Sequence, residues 1–248
     1  MENKTIGISM IAGNAADTLV VFFEWARAHF TEINVVVQPR NYDNTLELCT
    51  EYAEKYPDQI KLQIHEFENF SAQLDRAIAM CTCDFVIVMG SDEILGKFPY
   101  EHIPSMLDRM QKDVGMLPRF NLQRDINHYN PMGYPDWQYR IIRMSSGVHY
   151  NGKVVDETLD VPIESCIGIE ALPIIHFGHI RPEAALKQKG RDRKKFADQD
   201  ACDGPQLNEV GTDWFIVRNK SWDEVARPVP APHGEWINEW ATKGNFNG

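Results

Sequence analysis

Asp92 and Glu93 stand at the end of an apolar run, Phe85 to Met89, with Gly90 and Ser91 between. The run reads as a buried strand, and ligands of open α/β sheets bind at the carboxyl ends of strands. Two carboxylates there suit a divalent cation, Mg²⁺ or Mn²⁺, which takes oxygen ligands from one or two acids and from substrate phosphates. The alternative is that both acids cap the next helix or face water. His176 ends another apolar strand and offers an imidazole that Mn²⁺ accepts, or a packed structural histidine. Asp156 and Glu157 follow Tyr150-Asn151-Gly152-Lys153-Val154-Val155. Paired acids at a strand end can supply a general base or a solvated edge. Strand alternation lets only one of them face a site.

Two loops share the sheet edge of Asp92. Ala12, Gly13 and Asn14 follow the first strand, and Gln38 to Thr45, including Asp43, follows the second. Polar side chains and free backbone N–H groups there suit a nucleotide base and ribose; Asp43 can equally cap its own helix. Asp75 or Arg76 on the third helix is expected nearby, with Ser91 beside the acids. Trp137, Gln138 and Arg140 form a third group suited to an acceptor or to phosphate. From Arg181 to Lys195, seven basic residues face only Glu183 and Asp192, within a chain of net charge −11. Lys187 and Arg191 on that helix could meet phosphate or an anionic acceptor, or simply face solvent.

The elements that must position these groups alternate. Strands are expected at 6–11, 33–37, 60–65 and 85–89, and helices at 17–30, 43–56 and 71–81, with Asp17 and Asp43 as caps. That order implies a parallel sheet with helices on its faces. Beyond Leu95 a helix at 101–112 precedes strands at 114–120, 137–144, 154–159 and 172–177, and a basic helix spans 182–198. Prolines 228, 230 and 232 suggest an extended arm, and Trp236 and Trp240, at i and i+4, a short docking helix.

A chain of 248 residues with 43% hydrophobic and 25% charged residues has the composition of a soluble globular protein and the length of one large α/β domain or two small ones. The net charge of −11 argues against broad binding to nucleic acid or anionic membranes. No stretch approaches the ~18 apolar residues of a membrane span, and the N-terminus lacks a signal-peptide core, so the expected location is cytoplasmic. Five scattered cysteines, Cys81 and Cys83 alone being close, fit reduced structural thiols.

Three segments, in order, resemble the glycosyltransferases of family 2 with the GT-A fold, and within it the small bacterial lipopolysaccharide core-type enzymes. They are Val35 to Thr45 ending Asp43-Asn44-Thr45, Asn69 to Leu95 ending Gly90-Ser91-Asp92-Glu93, and Trp137 to Leu159 with Val155-Asp156-Glu157. His176-Phe177-Gly178-His179 before the basic helix also looks familial. The resemblance covers residues 5 to 198. It implies a mostly parallel, Rossmann-like sheet flanked by helices in a single domain. Residues 1–98 would form the nucleotide-sugar half and 99–200 the acceptor half, with 201–248 a C-terminal extension.

The resemblance further implies an inverting, metal-dependent transfer from a nucleotide sugar, a UDP-sugar first, to a saccharide or lipid-linked hydroxyl. Asp92 would be the main ligand of Mn²⁺ or Mg²⁺, with Glu93 and His176 as partners, and Glu157 rather than Asp156 the base. Departures are plain: Gly90 replaces the first acid of D-x-D, Gln38 replaces a strand-two acid, and Asp156 replaces the histidine of Val-His-Glu. Two other readings compete. One is a glycosyltransferase acting on a hydroxymethylated nucleic-acid base; the other is a noncatalytic nucleotide-sugar-binding module.

Overall fold

A computed structural model describes residues 4–150, 159–200 and 224–243, with side chains omitted from 193 to 200. Its first half follows the apolar pattern closely. β1 (Ile6–Ala12), β2 (Glu32–Val37), β3 (Ile60–Ile64) and β4 (Phe85–Gly90) pair in parallel, in the order β3-β2-β1-β4. α1 (Ala16–His29), α2 (Thr45–Lys55) and α3 (Phe70–Ala79) make the crossovers. Alternation along β4 divides its side chains between two layers. Phe85, Ile87 and Met89 pack with Leu19, Phe22 and Phe23 of α1, whereas Val86 and Val88 pack with Leu74 and Ile78 of α3. Burying each such side chain contributes about 1.5–3 kcal/mol.

The second half departs from the expected mostly parallel sheet. β8 (Asp136–Arg143) lies antiparallel beside β4, and β6 (Val114–Asn121) antiparallel beside β8. β10 (Ile174–His176) runs parallel to β6, and β5 (Glu93–Leu95) pairs antiparallel with β10. β9 (Cys166–Gly168) also joins β6, giving a nine-stranded mixed sheet. β5 and β9 are three residues each, too short to show a period. The β6–β8 register jumps from Gly115↔Ile141 to Met116↔Tyr139, leaving Arg140 as an unpaired bulge residue. A bulge re-aims its side chain, and that decides where Arg140 points.

Several boundaries move for local reasons. Ala15, not Asp17, holds the N-cap of α1, and Asn44, not Asp43, that of α2. The helix expected at 101–112 is a 3-10 turn followed by α4 (Ile103–Asp108). The strand expected at 154–159 lies outside the described residues except for Leu159, which bridges Tyr150.

In the C-terminal segment β11 (Arg227–Pro228) pairs with β7 (His128–Tyr129). α6 (His233–Ala241) then docks on α1, as the Trp236/Trp240 spacing suggests. Trp236 Nε1 donates to the Leu95 carbonyl at 2.9 Å, and His29 stacks on Tyr100 beside both tryptophans. Among the described residues no helix is long and apolar enough to cross a membrane.

Candidate active site

Gly90 ends β4, and the turn Ser91-Asp92 leads straight into β5. A Cβ at position 90 would lie 3.0 Å from Asp92 Oδ1 and 3.2 Å from Glu93 Oε2. Lack of a side chain at 90 therefore lets both acids fold back over the strand end. They do so toward different partners.

Glu93 is 2% exposed. Its Oε1 accepts from Arg140 Nη2 at 2.8 Å and Arg119 Nη1 at 3.1 Å, and its Oε2 from the Gly90 N–H at 2.7 Å. Burial pushes its carboxyl up, but Arg140 and Arg119 hold it below the usual value. Arg140 reaches Glu93 because the bulge turns it there. Arg119 also grips Asp136, which accepts from Gln138 and Asn121 as well. Glu93 is thus the centre of a closed ion-pair network.

Asp92 is different. Its Oδ2 lies 3.0 Å from Lys189 Nζ and 3.4 Å from His176 Nε2. Burial raises its pKa, yet the Lys189 ammonium and its cationic surroundings hold the carboxyl well below the usual range. The proton on His176 is fixed by a relay. Asn121 Nδ2 donates to Asp136 Oδ2 at 2.9 Å, so its Oδ1 is left facing His176 Nδ1 at 2.7 Å and accepts from it. Burial keeps the imidazole pKa below its ordinary value despite the pull of Asp92. With the Nδ1 proton given to Asn121, a neutral ring carries its lone pair on Nε2, the atom that faces Asp92 at 3.4 Å. That is the tautomer and the outer hydrogen bond a metal-ligating histidine uses. A carboxylate oxygen and an imidazole nitrogen 3.4 Å apart could together hold a divalent ion such as Mn²⁺ or Mg²⁺.

The loops after β1 and β2 converge, largely on one another. Asn14, in a left-handed conformation at φ 50°, bonds Asn41 through its N–H and accepts from Tyr42 N–H. A Cβ on Gly13 would lie 2.8 Å from Gln38 Nε2. Asp43 accepts from Ala16 N–H and Thr45 N–H, tying the starts of α1 and α2 together. Arg181 closes this edge, donating to Asp17 and to the Asn14 carbonyl. Ala12 ends β1 beside Val37. Ser91 lies in the turn between β4 and β5.

Other expected site residues have their contacts elsewhere. Asp75 accepts from Tyr150 N–H, and Arg76 pairs with Glu68. Trp137 packs on Gly168 of β9, while Gln138 joins Asp136. On α5 (Glu183–Asp200) Lys187 pairs with Glu183, and Arg191 is exposed. Lys189 enters the site instead, on the helix face that also carries Gln188 and Asp192, the latter bonded to Asn14 Nδ2 at 3.1 Å. Asp156 and Glu157 lie outside the described residues.

A separate trio, Glu32, Cys81 and Cys83, has its ligand atoms within 4.8 Å of one another and could chelate a divalent ion. It sits at the start of β2 and just before β4, at the end of the sheet opposite Asp92. Both Glu32 oxygens already accept hydrogen bonds, from Asn34, the Thr82 N–H and hydroxyl, and Lys61. Against burial these hold Glu32 at about 2, while burial pushes Cys81 up to about 12.

Among solved structures, S. aureus TarS residues 1–349 in complex with UDP is 12% identical at a TM-score of 0.49, with 96% of this chain and 87% of that chain covered. The mannosyltransferase PcManGT from Pyrobaculum calidifontis, in complex with GDP-Man and Mn²⁺, is 12% identical at a TM-score of 0.49, with 98% and 74% covered. No curated protein sequence matches the chain. The model of the family described as glycosyl transferase family 2 matches residues 8–151, across β1 to β8 and the Asp92 turn, and the chain therefore belongs to glycosyl transferase family 2.

Proposed function

We propose that this chain is an inverting, metal-dependent glycosyltransferase that moves a sugar from a nucleotide sugar, a UDP-sugar first among them, to a hydroxyl of a saccharide or lipid-linked acceptor. Family membership supports glycosyl transfer. The observation that carries the site is the Asp92–His176 pair, brought together by the turn after β4 and the end of β10, with Asn121 Oδ1 holding the imidazole through Nδ1.

In this reading Asp92 and His176 would hold a divalent ion, Mn²⁺ or Mg²⁺, which would neutralise the donor's diphosphate as a Lewis acid. Glu93 holds Arg119 and Arg140 in place behind them. Ala12, Gly13, Asn14, Gln38 and Asp43 border the nucleoside. The bond from the anomeric carbon to the phosphate oxygen breaks with its electron pair on that oxygen. The acceptor oxygen bonds to the carbon from the opposite face, and its proton passes to Glu157, or to Asp156 in the other strand register.

A thermal-shift screen of nucleotide sugars with excess Mn²⁺ tests the proposal. A ligand at 100 times its Kd stabilises the folded state by about 2.7 kcal/mol. The expected result is stabilisation by one nucleotide class together with slow release of its free sugar. Stabilisation without any sugar release or transfer would favour a binding module, and no stabilisation by any nucleotide sugar would overturn the proposal.

A further inference from the structure

The Lys189 ammonium stands where Asp92 Oδ2 and the His176 Nε2 lone pair converge. The chain makes room for it. A Cβ on Gly178 would lie 2.2 Å from His176 Nε2 and 2.8 Å from Lys189 Nζ. Any side chain at 178 would expel one group or the other. The surrounding ion pairs are already closed: Glu93 and Asp136 on Arg119, Glu93 on Arg140, and Asp17 on Arg181. Lys189 has Asp92 as its counter-ion, and about a third of its side chain reaches solvent.

Resting on the glycosyltransferase reading above, we propose that Lys189 is a tethered cation that exchanges with the divalent ion. It holds Asp92 in the resting protein and passes to the donor's diphosphate when metal and nucleotide arrive together. A bare divalent ion at Asp92 must displace the ammonium and then stands beside a like charge that has lost its partner, which weakens the ion's binding. Phosphate oxygens entering with the ion give that ammonium a new partner. Metal and diphosphate therefore bind with positive coupling, each raising the affinity for the other by the same factor. When the sugar–phosphate bond breaks, the leaving diphosphate gains one further negative charge, and Lys189 is the mobile cation beside it. The basic helix then serves this site through one residue in its inner face, not through its general charge.

The test is titration of Mn²⁺ alone, with free Mn²⁺ measured by electron paramagnetic resonance, on the full chain without nucleotide. Mn²⁺ is a hard ion and discriminates against the thiols of Cys81 and Cys83. Lys189→Met should bind Mn²⁺ at least about tenfold more tightly than wild type, because a unit charge in contact with the site is removed. Lys189→Gln should do the same, Lys189→Arg should behave as wild type, and Asp92→Asn should cancel the gain in Lys189→Met. Unchanged Mn²⁺ affinity in both Lys189→Met and Lys189→Gln, each shown to be folded by circular dichroism, would overturn the exchange.

Calorimetry with UDP, GDP, CDP, ADP and dTDP at saturating Mn²⁺ tests the second half. For the nucleotide that binds, Lys189→Met should lose at least about tenfold in affinity; an unchanged affinity would overturn the transfer to diphosphate. If Lys189→Met tightens Mn²⁺ yet no nucleotide binds wild type, the competition for Asp92 stands, and the transfer falls with the glycosyltransferase reading.

Discussion

Asn121 decides the chemistry of His176. With its amide nitrogen given to Asp136 at 2.9 Å, its oxygen can only accept from His176 Nδ1, at 2.7 Å. The imidazole lone pair is thereby aimed at Asp92 before any ligand arrives. Replacing Asn121 by Leu removes the relay and leaves the tautomer free. Mn²⁺ affinity, measured with bound nucleotide, should fall about 10- to 100-fold, the usual scale for an outer hydrogen-bond partner of a metal ligand. An affinity equal to wild type would show that the relay is only a packing contact.

The two adjacent acids have separable roles. Glu93→Gln leaves the buried Arg119 and Arg140 guanidinium groups short of their shared carboxylate. Breaking a buried pair this way costs about 3–5 kcal/mol, read from the urea midpoint. Asp92→Asn should lower stability far less, since Lys189 is part-exposed. Equal losses in the two variants would refute the division of labour.

Gly90 is not a vacancy awaiting the family's usual aspartate. A Cβ there meets Asp92 Oδ1 at 3.0 Å and Glu93 Oε2 at 3.2 Å. Gly90→Ala should destabilise the fold by about 1–3 kcal/mol through overpacking, and Gly90→Asp should add charge repulsion without raising activity. A Gly90→Asp protein that is stable and more active would show that the acids have another arrangement.

Acidification should weaken the fold through its buried histidines. Burial lowers the pKa of His29, His176 and His233, and takes His179 down to about 2. Their folded pKa values lie below the unfolded one, so the unfolded chain binds more protons as pH drops past 6.5. Stability is full above that pH and declines below it, by about 1.4 kcal/mol per pH unit for each histidine that stays neutral in the fold. Unfolding at pH 5.5 and 7.5 should show this loss, and His179→Gln should reduce it. A flat profile between those values would contradict the burial of these rings.

The parallel half of the sheet was legible because β1, β2 and β4 are mostly apolar runs separated by helical periods. The docking helix was legible from Trp236 and Trp240 alone. What the local pattern hides is pairing between distant segments. β8 slips in antiparallel beside β4, and three-residue strands such as β5 gain their identity only from the neighbour they meet. The Asp92 turn was visible as paired acids after a strand, but sequence could not say that Glu93 faces two arginines while Asp92 faces a lysine. Arg140 reaches Glu93 through a bulge that no residue type announces. Lys189 was concealed in a run of like charges; the useful signal was the helical spacing of Gln188, Lys189 and Asp192 on one face. Asn121 carried no motif, only its place at the end of the strand paired with β10.

The role of Asp92 is tested most directly by Mn²⁺-dependent hydrolysis of the nucleotide sugar that stabilises the protein, compared between wild type and Asp92→Asn. Wild type should hydrolyse it, and Asp92→Asn should lose at least about 100-fold, with the melting temperature little changed. Undiminished hydrolysis in folded Asp92→Asn would rule out Asp92 as a metal ligand and move the reacting centre away from the end of β4.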